Sequence, residues 1–359
     1  MKKLGLKLSG ILIATSLALA GCGSNKTNNA TTQDKDGKLK VYTSFYPMYD
    51  FAKKIGGEKV EVENLVPAGT EPHDWEPTPQ DLVKIGKSDV FVYSGAGMEE
   101  WIDKVGETVE NDKLIQVEAS KGVKLLKSTH DHDDKYDHDD KYDHDDKHDH
   151  DDKHDHDDKH DHDDKHDHDD KHDHDDKYDH DEHHHGEYDP HVWLNPQNAK
   201  IQMKNIKEAF IKADPKNKDY YEKNFEENSK KLDQIDKKYK DSLANTSKKD
   251  VIVSHEAFAY LFKDYGIHQV GIEGLSPDSE PDAGRMAEIT KFAKDNNVKY
   301  IFFEELVSPK VSEAIAKEVG ARTEVLNPIE GLTNEQINAG EDYFSIMEKN
   351  LEVLLKALK

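Results

Sequence analysis

Short apolar runs alternate with amphipathic segments along most of this 359-residue chain. Runs rich in Val, Ile, Phe and Tyr predict buried strands, whereas apolar residues recurring every three or four positions predict helices. In the first part of the chain these segments follow one another in a βαβαβαβ order. The predicted strands cover 39–45, 60–66, 89–93 and 114–117, and the predicted helices cover 48–55, 79–86 and 98–109.

The same order returns in the last third of the chain. Strands are predicted there at 251–253, 268–272, 299–303 and 323–326, and helices at 257–265, 283–296, 309–319 and 341–358. Strands that alternate with helices form parallel sheets, because a parallel connection needs a crossover segment. We therefore predict an α/β fold with two lobes, at 39–213 and 246–359, each with a four-stranded parallel sheet flanked by helices.

A long amphipathic segment at 214–245 separates the two predicted lobes. Asp214 and Pro215 suit the N-cap and the first position of a helix, and apolar residues then recur at helical spacing up to Leu243. At 1.5 Å per residue this helix is about 40 Å long. We expect it to join the lobes as a rigid strut, with a ligand cleft between them.

The N-terminus has the pattern of an export signal. Three lysines precede an apolar stretch that is too short to span a bilayer. Cys22, the only cysteine of the chain, follows Leu-Ala-Gly, and this segment resembles a bacterial lipoprotein signal. We predict that 1–21 is the signal peptide, that Cys22 is lipidated, and that 22–38 is a flexible tether.

Between positions 130 and 187 the chain repeats Asp-His-Asp-Asp-Lys-(Tyr/His) eight times. This tract carries 20 of the 26 net negative charges and has almost nothing apolar to bury, so we expect it to be disordered without metal. Imidazole and carboxylate side chains suit zinc. The predicted auxiliary, low-affinity metal ligands are His130, His132, His138, His144, His148, His150, His154, His156, His160, His162, His166, His168, His172, His174, His180, His183, His184 and His185. A purely solubilising loop is the alternative.

Charge outside this tract does not indicate a nucleic-acid partner. The remaining net charge is small, and the lysines are spread among glutamates along amphipathic helices, which is typical of solvated surfaces. If Cys22 is lipidated, the exported part has no thiol and no disulfide. Its stability must then come from packing.

Three of the four histidines outside the tract follow predicted strands. His73 comes after the second strand, His191 lies in the connection that leaves the fourth, and His255 directly follows the first strand of the second lobe. Ligands of open α/β sheets bind beyond the carboxyl ends of the strands. We therefore expect the three imidazoles to face one cleft as an incomplete zinc site. Glu330, after the last strand, is placed to complete it.

Other polar candidates have more ordinary interpretations. His268 begins a strand on no ligand-bearing loop, and we expect it to be structural. Glu256 either orients an imidazole or merely begins a helix, and both alternatives stay open. Glu304 and Glu305 end the third strand of the second lobe and compete with Glu330 for the role of fourth ligand.

At these residues the chain resembles the zinc-binding lipoproteins of bacterial ABC importers, within the metal-specific class of solute-binding proteins. The resemblance covers 39–359 and rests on Glu71-Pro72-His73, Asp189-Pro190-His191-Val192-Trp193-Leu194-Asn195-Pro196, Ser254-His255-Glu256-Ala257-Phe258 and Glu273-Gly274-Leu275-Ser276-Pro277. It implies that the three histidines and Glu330 bind Zn²⁺ as cargo. It further implies a monomer on the outer side of the cell membrane, with an ABC permease and its ATPase subunit as partners.

Three alternative functions remain open at this point. Manganese binders of the same class usually have a carboxylate in place of His255, and a surface adhesin is a possible secondary role. A zinc hydrolase would need an open metal position for water, and the chain has no HExxH motif.

Trp75 and Trp193 flank the ligand loops and are expected to wall the site. We expect closure of the second lobe to bring His255 and Glu330 onto metal already held by the other two histidines.

Overall fold

Two four-stranded sheets, in which all strand pairs are parallel, form the scaffold of residues 37–128, 187–277 and 281–359, the part of the chain that the computed structural model describes. The first sheet has the order β2-β1-β3-β4, with β1 at Leu39–Thr43, β2 at Val60–Asn64, β3 at Val90–Tyr93 and β4 at Ile115–Glu118. The second has the order β6-β5-β7-β8, with β5 at Asp250–Val253, β6 at His268–Gly271, β7 at Tyr300–Phe303 and β8 at Arg322–Val325. The predicted fold class is confirmed.

The central strands are apolar because helices cover both faces of each sheet. In the first sheet Val41 of β1 lies opposite Val62 on one side and Val90 on the other. In the second sheet Ile252 of β5 pairs with Val270 and Ile301. These pairings bring the carboxyl ends of neighbouring strands to one edge of each sheet, where the loops that carry the predicted ligands begin.

Ten α-helices connect and flank the strands of the described residues. Several begin at local signals: Thr78 forms a capping box with Asp81, and the Asn195 side chain accepts hydrogen bonds from the amides of Gln197 and Asn198. The helices are α1 (Tyr46–Gly56), α2 (Pro79–Gly86), α3 (Ile102–Thr108), α4 (Pro196–Ala213), α5 (Lys218–Leu243), α6 (Ala259–Lys263), α7 (Ala283–Asp295), α8 (Lys310–Val319), α9 (Asn334–Asn338) and α10 (Tyr343–Leu358).

The long linking helix begins later than predicted. Asp214 is not its N-cap but follows the last residue of α4, and its carboxylate accepts hydrogen bonds from Asn217 and Tyr221. Residues Pro215–Asn217 form a 3-10 turn, and the helix itself, α5, spans Lys218–Leu243. At 26 residues it is about 39 Å long. It packs against α1 and α4 beside the first sheet and against α10 beside the second.

Both sheets share one continuous hydrophobic core. Val41 and Phe51 beside the first sheet belong to the same buried cluster as Val253 and Phe302 of the second. Residues Lys38–Lys359 form one compact unit, so the division into separate domains at 213 and 246 stays a prediction. None of the helices in the described ranges is long and apolar enough to cross a membrane.

Two sets of predictions lie outside the described residues. The signal peptide, Cys22 and most of the tether fall within positions 1–36. The histidines of the acidic tract fall within positions 129–186. These remain predictions from the sequence.

Candidate metal centre

Four side chains from four separate loops meet at the edge between the two sheets. His73 follows β2, His191 lies beyond β4, His255 comes two residues after β5, and Glu330 comes five residues after β8. They form a group that could hold a metal ion, with one ligand atom from each residue lying within 4.8 Å of all the others. The structure thus brings together all four residues singled out from the sequence.

The distances within this group suit a tetrahedral ion. The Nε2 atom of His191 lies 3.2 Å from Nε2 of His73 and 3.2 Å from Nε2 of His255. Glu330 Oε1 lies 3.4, 3.1 and 3.3 Å from the Nε2 atoms of His73, His191 and His255. Zinc bound at about 2.0–2.1 Å would give a ligand tetrahedron with edges of about 3.3–3.4 Å. These five of the six spacings match that size, and the sixth, between His73 and His255, is within 4.8 Å.

Glu330 is buried without a hydrogen-bond partner. Its residue is 1% exposed, and neither carboxylate oxygen makes a hydrogen bond of acceptable geometry, although Oε1 lies close to three imidazole nitrogens. Buried polar groups are almost always paired, and an unpaired buried carboxylate is costly. A bound cation would supply the missing partner, so these four side chains fit the coordination of Zn²⁺.

The backbone before Glu330 is strained. Ile329, a buried β-branched residue, has φ of 60°, in the left-handed region that such residues rarely adopt. Its amide donates to Asn327 Oδ1 at 2.6 Å, and the preceding carbonyl of Pro328 accepts from Trp193 Nε1 at 2.8 Å. Strain of about 1–3 kcal/mol persists only where surrounding contacts enforce it. These contacts turn the Glu330 carboxylate toward the histidines.

Carboxylates behind two of the histidines select their metal-binding tautomer. His191 Nδ1 lies 2.8 Å from Asp189 Oδ1, and His255 Nδ1 lies 2.7 Å from Glu304 Oε1, with all four residues buried. A ring whose Nδ1–H donates to a carboxylate presents the lone pair of Nε2 to a metal. Both Nε2 atoms therefore point at the proposed ion with a defined protonation.

Two alternatives from the sequence are thereby decided against. Glu304 does not compete with Glu330 as a ligand, because it contacts the Nδ1 side of His255. Glu304 is the carboxylate that orients the His255 ring, and α6 starts at Ala259, so Glu256 is not the first residue of a helix. Glu305 is exposed and accepts hydrogen bonds from Asn327 and Gln336.

The other residues singled out from the sequence lie around or away from the centre. His268 is the first residue of β6 and lies outside the ligand group, with its Nδ1 3.4 Å from Asp250 on the surface. Trp193 is buried, and its ring centroid lies 5.4 Å from that of His191. Trp75 is half-buried and packs edge-on against Trp101. Trp193 therefore walls the centre, as expected.

The electrostatics of the centre couple protons to metal. Burial alone lowers the pKa of His255, but the carboxylates of Glu304 and Glu330 outweigh it and hold that pKa well above the usual value. His191 behaves likewise: burial is opposed by Asp189 and Glu330, and its pKa is raised. Burial favours a raised pKa for Glu330, yet the three histidines lower it well below the usual value. The raised pKa values favour protonated rings, whereas metal ligation needs deprotonated ones, so protons compete with a metal ion for this centre.

Burial dominates at the two residues of the His73 loop. It lowers the pKa of His73 in spite of the nearby Glu330 carboxylate. Burial and repulsion by Glu330 raise the pKa of Glu71 to about 9, while Glu71 accepts a hydrogen bond from the backbone amide of His73. Burial thus favours the neutral form of Glu71 and disfavours a second negative charge beside Glu330.

Comparison with known proteins agrees with this geometry. Residues 41–357 match the family model described as "Zinc-uptake complex component A periplasmic", ZnuA. The chain belongs to the ZnuA family. It is 40% identical to the high-affinity zinc uptake system protein ZnuA of Bacillus subtilis over 354 residues, which cover 98% of each chain.

One further relative extends the comparison in both sequence and structure. The zinc-binding lipoprotein AdcA of Streptococcus pneumoniae is 36% identical over 99% of this chain, which spans 60% of AdcA. The crystal structure of the Zn(II)-bound ZnuA-like domain of that AdcA superposes with a TM-score of 0.68 at 35% identity, covering 90% of this chain and 99% of that domain. ZnuA-family proteins are extracytoplasmic components of zinc-uptake complexes and not enzymes, so the hydrolase alternative is excluded.

Proposed function

We propose that this protein captures Zn²⁺ outside the cytoplasm and delivers it to the permease of an ABC importer. The observation that carries the proposal is the convergence of three imidazole nitrogens on one buried carboxylate, at separations close to the edges of a zinc tetrahedron. A site with four protein ligands leaves no open position for a reacting water. Such a site holds an ion as cargo and does not activate it.

The donor set favours zinc over manganese. Three nitrogen donors and one oxygen in a tetrahedral arrangement are typical of zinc, whereas manganese prefers oxygen-rich, octahedral sites. Among the four ligands only Glu330 supplies oxygen. The carboxylates that face the centre from behind the histidines increase the basicity of those ligands, which further favours a strongly polarising cation.

We further propose that three ligands are held in advance and that His73 joins last. The segment that carries His191 is bonded to elements of the second sheet: Trp193 Nε1 donates to Pro328, Tyr343 donates to the Trp193 carbonyl at 2.6 Å, and Asn195 Nδ2 donates to Asp264 at 2.9 Å. His191 is therefore tied to the same side as His255 and Glu330. This differs from the two-plus-two closure expected from the sequence.

His73 is the least constrained of the four residues. It lies on loop 67–77, where the amides of Thr70, His73 and Trp75 bond to residues of the same loop, while Gly69 N donates to Leu332 O at 3.1 Å, just after Glu330. Its side chain is also 11% exposed, whereas the side chains of His191 and His255 are fully buried. The last ligand to arrive is expected to be the first to leave, so His73 would control release to the permease.

The acidic tract and the lipid anchor complete the proposal. The tract leaves the described structure after Ser128 and returns at Glu187, four residues before His191. Its many His and Asp side chains would gather dilute Zn²⁺ through weak sites and raise its concentration beside the cleft. A lipid on Cys22 would keep the protein at the membrane that holds the permease and its ATPase.

Metal analysis of the purified protein with and without residues 130–186 tests the proposal, with Glu187 retained because it pairs with Ser128. One tight equivalent of zinc should remain in both forms. A strain that lacks the whole gene for this protein should also need more zinc for growth, and its growth should recover when the gene is restored. A shortened protein that binds no zinc tightly, or normal growth of the deletion strain under zinc limitation, would contradict the proposed function.

A further inference from the structure

A short antiparallel ribbon closes the base of the acidic insert. Lys127 and Tyr188 form a bridge, Ser128 N donates to Glu187 O at 3.0 Å, and Asp189 N donates to Leu126 O at 2.9 Å. The ribbon thus consists of residues 126–128 and 187–189. One of its strands continues directly into Pro190 and His191, so any displacement of the ribbon reaches a zinc ligand within two residues.

The hydroxyl group of Tyr260 bonds to both strands of this ribbon. It accepts from Leu126 N at 2.8 Å and donates to Asp189 O at 3.0 Å. Tyr260 is 4% exposed and belongs to α6, the helix that follows the His255 loop. Its backbone carbonyl also accepts from Asn195 Nδ2 at 3.1 Å. One residue therefore joins the ribbon, the His191 segment and the His255 segment.

The contact continues from the ribbon to the ligand through Asp189. The same carboxylate oxygen, Oδ1, accepts from the His191 backbone amide at 2.9 Å and lies 2.8 Å from His191 Nδ1. The Asp189 backbone is held by Tyr260, and its side chain sets the ring of His191. Moving the Asp189 backbone would rotate or withdraw that imidazole from the tetrahedron.

We propose that the Tyr260 hydroxyl is a positioning group for His191 that makes the zinc centre insensitive to the insert. Without it, the half-buried Leu126 N and the buried Asp189 O lose their partner. The ribbon would then be held only by its own bonds, and forces from the insert would reach His191 through Asp189. This inference rests on the proposed function, since it assumes that the centre binds Zn²⁺.

The test measures zinc affinity by chelator competition at substoichiometric zinc, where the tight site fills first. Tyr260→Phe is made in the full chain and in a form shortened by four repeats, residues 143–166. The parent affinity should not depend on insert length. Tyr260→Phe should bind zinc about tenfold more weakly, the lower end of the effect of groups behind a ligand, and its affinity should change with insert length.

A matched control separates positioning from simple loss of a buried hydroxyl. Tyr239→Phe removes a buried hydroxyl of α5 that donates to Met347 O of α10 at 2.6 Å. It should lower the melting temperature as much as Tyr260→Phe does but leave zinc affinity unchanged. A double-mutant cycle with Asp189→Asn should be non-additive, because Tyr260 acts through Asp189.

The outcomes distinguish failure of the proposed zinc-binding function from failure of the positioning role of Tyr260. A parent that binds no zinc tightly would overturn the proposed function itself. If the parent binds tightly but Tyr260→Phe stays within twofold of it at both insert lengths, the positioning role is wrong. Equal weakening by Tyr239→Phe, or additive effects with Asp189→Asn, would likewise reduce Tyr260 to a general stabilising residue.

Discussion

Replacing Glu304 by glutamine tests how strongly the group behind His255 supports zinc binding. Glu304 is 2% exposed, and its carboxylate lies 2.7 Å from His255 Nδ1. Glutamine has the same shape and still offers a carbonyl oxygen to Nδ1–H. The substitution therefore removes one negative charge and leaves the position of the ring unchanged.

The expected loss of zinc affinity follows from the buried contact between the Glu304 carboxylate and His255 Nδ1. A hydrogen bond to a charged group contributes about 1.5–3 kcal/mol, which corresponds to roughly 10- to 150-fold in affinity. Because glutamine keeps the hydrogen bond and loses only the charge, we expect about tenfold weaker zinc binding at high pH. Glu304→Ala, which removes both, should be nearer to a hundredfold.

The pH dependence gives this prediction a specific signature. The carboxylates of Glu304 and Glu330 together hold the pKa of His255 well above its usual value, so at neutral pH a proton on His255 competes with zinc in the parent. Glu304→Gln lowers that pKa and weakens the competition. The fold-loss of affinity should therefore be largest above the raised pKa of His255 and shrink as the pH falls.

Zinc affinity is measured by competition with a fluorescent chelator at pH 8.5 and pH 6, in protein lacking residues 130–186. Glu318→Gln serves as control, since it removes an equal charge from the exposed pair that Glu318 of α8 forms with Lys294 of α7. Parent-like affinity of Glu304→Gln at pH 8.5, in a folded protein, would refute the role assigned to Glu304. An equal loss of zinc affinity at both pH values would show that the position of the His255 ring matters and the charge of Glu304 does not.

Four further predictions concern the ligands, the metal, the membrane and the tract. Alanine at any of the three histidines of the centre should abolish tight 1:1 zinc binding in calorimetry, with Glu330→Ala milder; a histidine variant with parental affinity loses its assignment. In direct competition the parent should prefer Zn²⁺ to Mn²⁺, and His255→Glu should narrow that preference; tighter binding of Mn²⁺ by the parent would refute the zinc assignment. Cys22→Ala should prevent acylation and leave the protein unprocessed or released, so membrane retention with normal processing after detergent-free washing would count against the anchor. Deleting 130–186 should remove several weak zinc equivalents that, in the full chain, empty first as pH falls through about 6.5; loss of the tight equivalent would place the tract inside the centre.

Local signals explain which elements could be predicted from the sequence. Helix α2 begins and ends where predicted, at Pro79–Gly86, because the capping box of Thr78 and the proline after it depend only on neighbouring residues. Helix α4 was missed, although Asn195-Pro196 is a start signal and its buried Ala199, Met203, Ile206 and Phe210 recur at helical spacing. That signal was present, and the predicted start at Asp214-Pro215 was too early because Asp214 ends α4 and opens a 3-10 turn, after which α5 begins at Lys218.

The convergence of the four proposed ligands was also predictable, because the topology of a parallel α/β fold brings the loops after its strands to one edge. Each of His73, His191, His255 and Glu330 follows a strand that the sequence pattern identifies. The chain order of strands, helices and histidines was therefore sufficient to predict that these side chains meet. The distances among them, and hence the tetrahedral fit, were not accessible from that order.

Only the tertiary structure decided which groups lie behind the ligands and which segments move together. Glu304 is 49 residues from His255 and Tyr260 is 71 residues from Asp189, and each pair is in contact. Glu256, adjacent to His255 in sequence, was the more obvious candidate. Such contacts depend on strand order, register and side-chain direction at once. A single sequence states which residues follow each strand, but the packed core determines which of them touch.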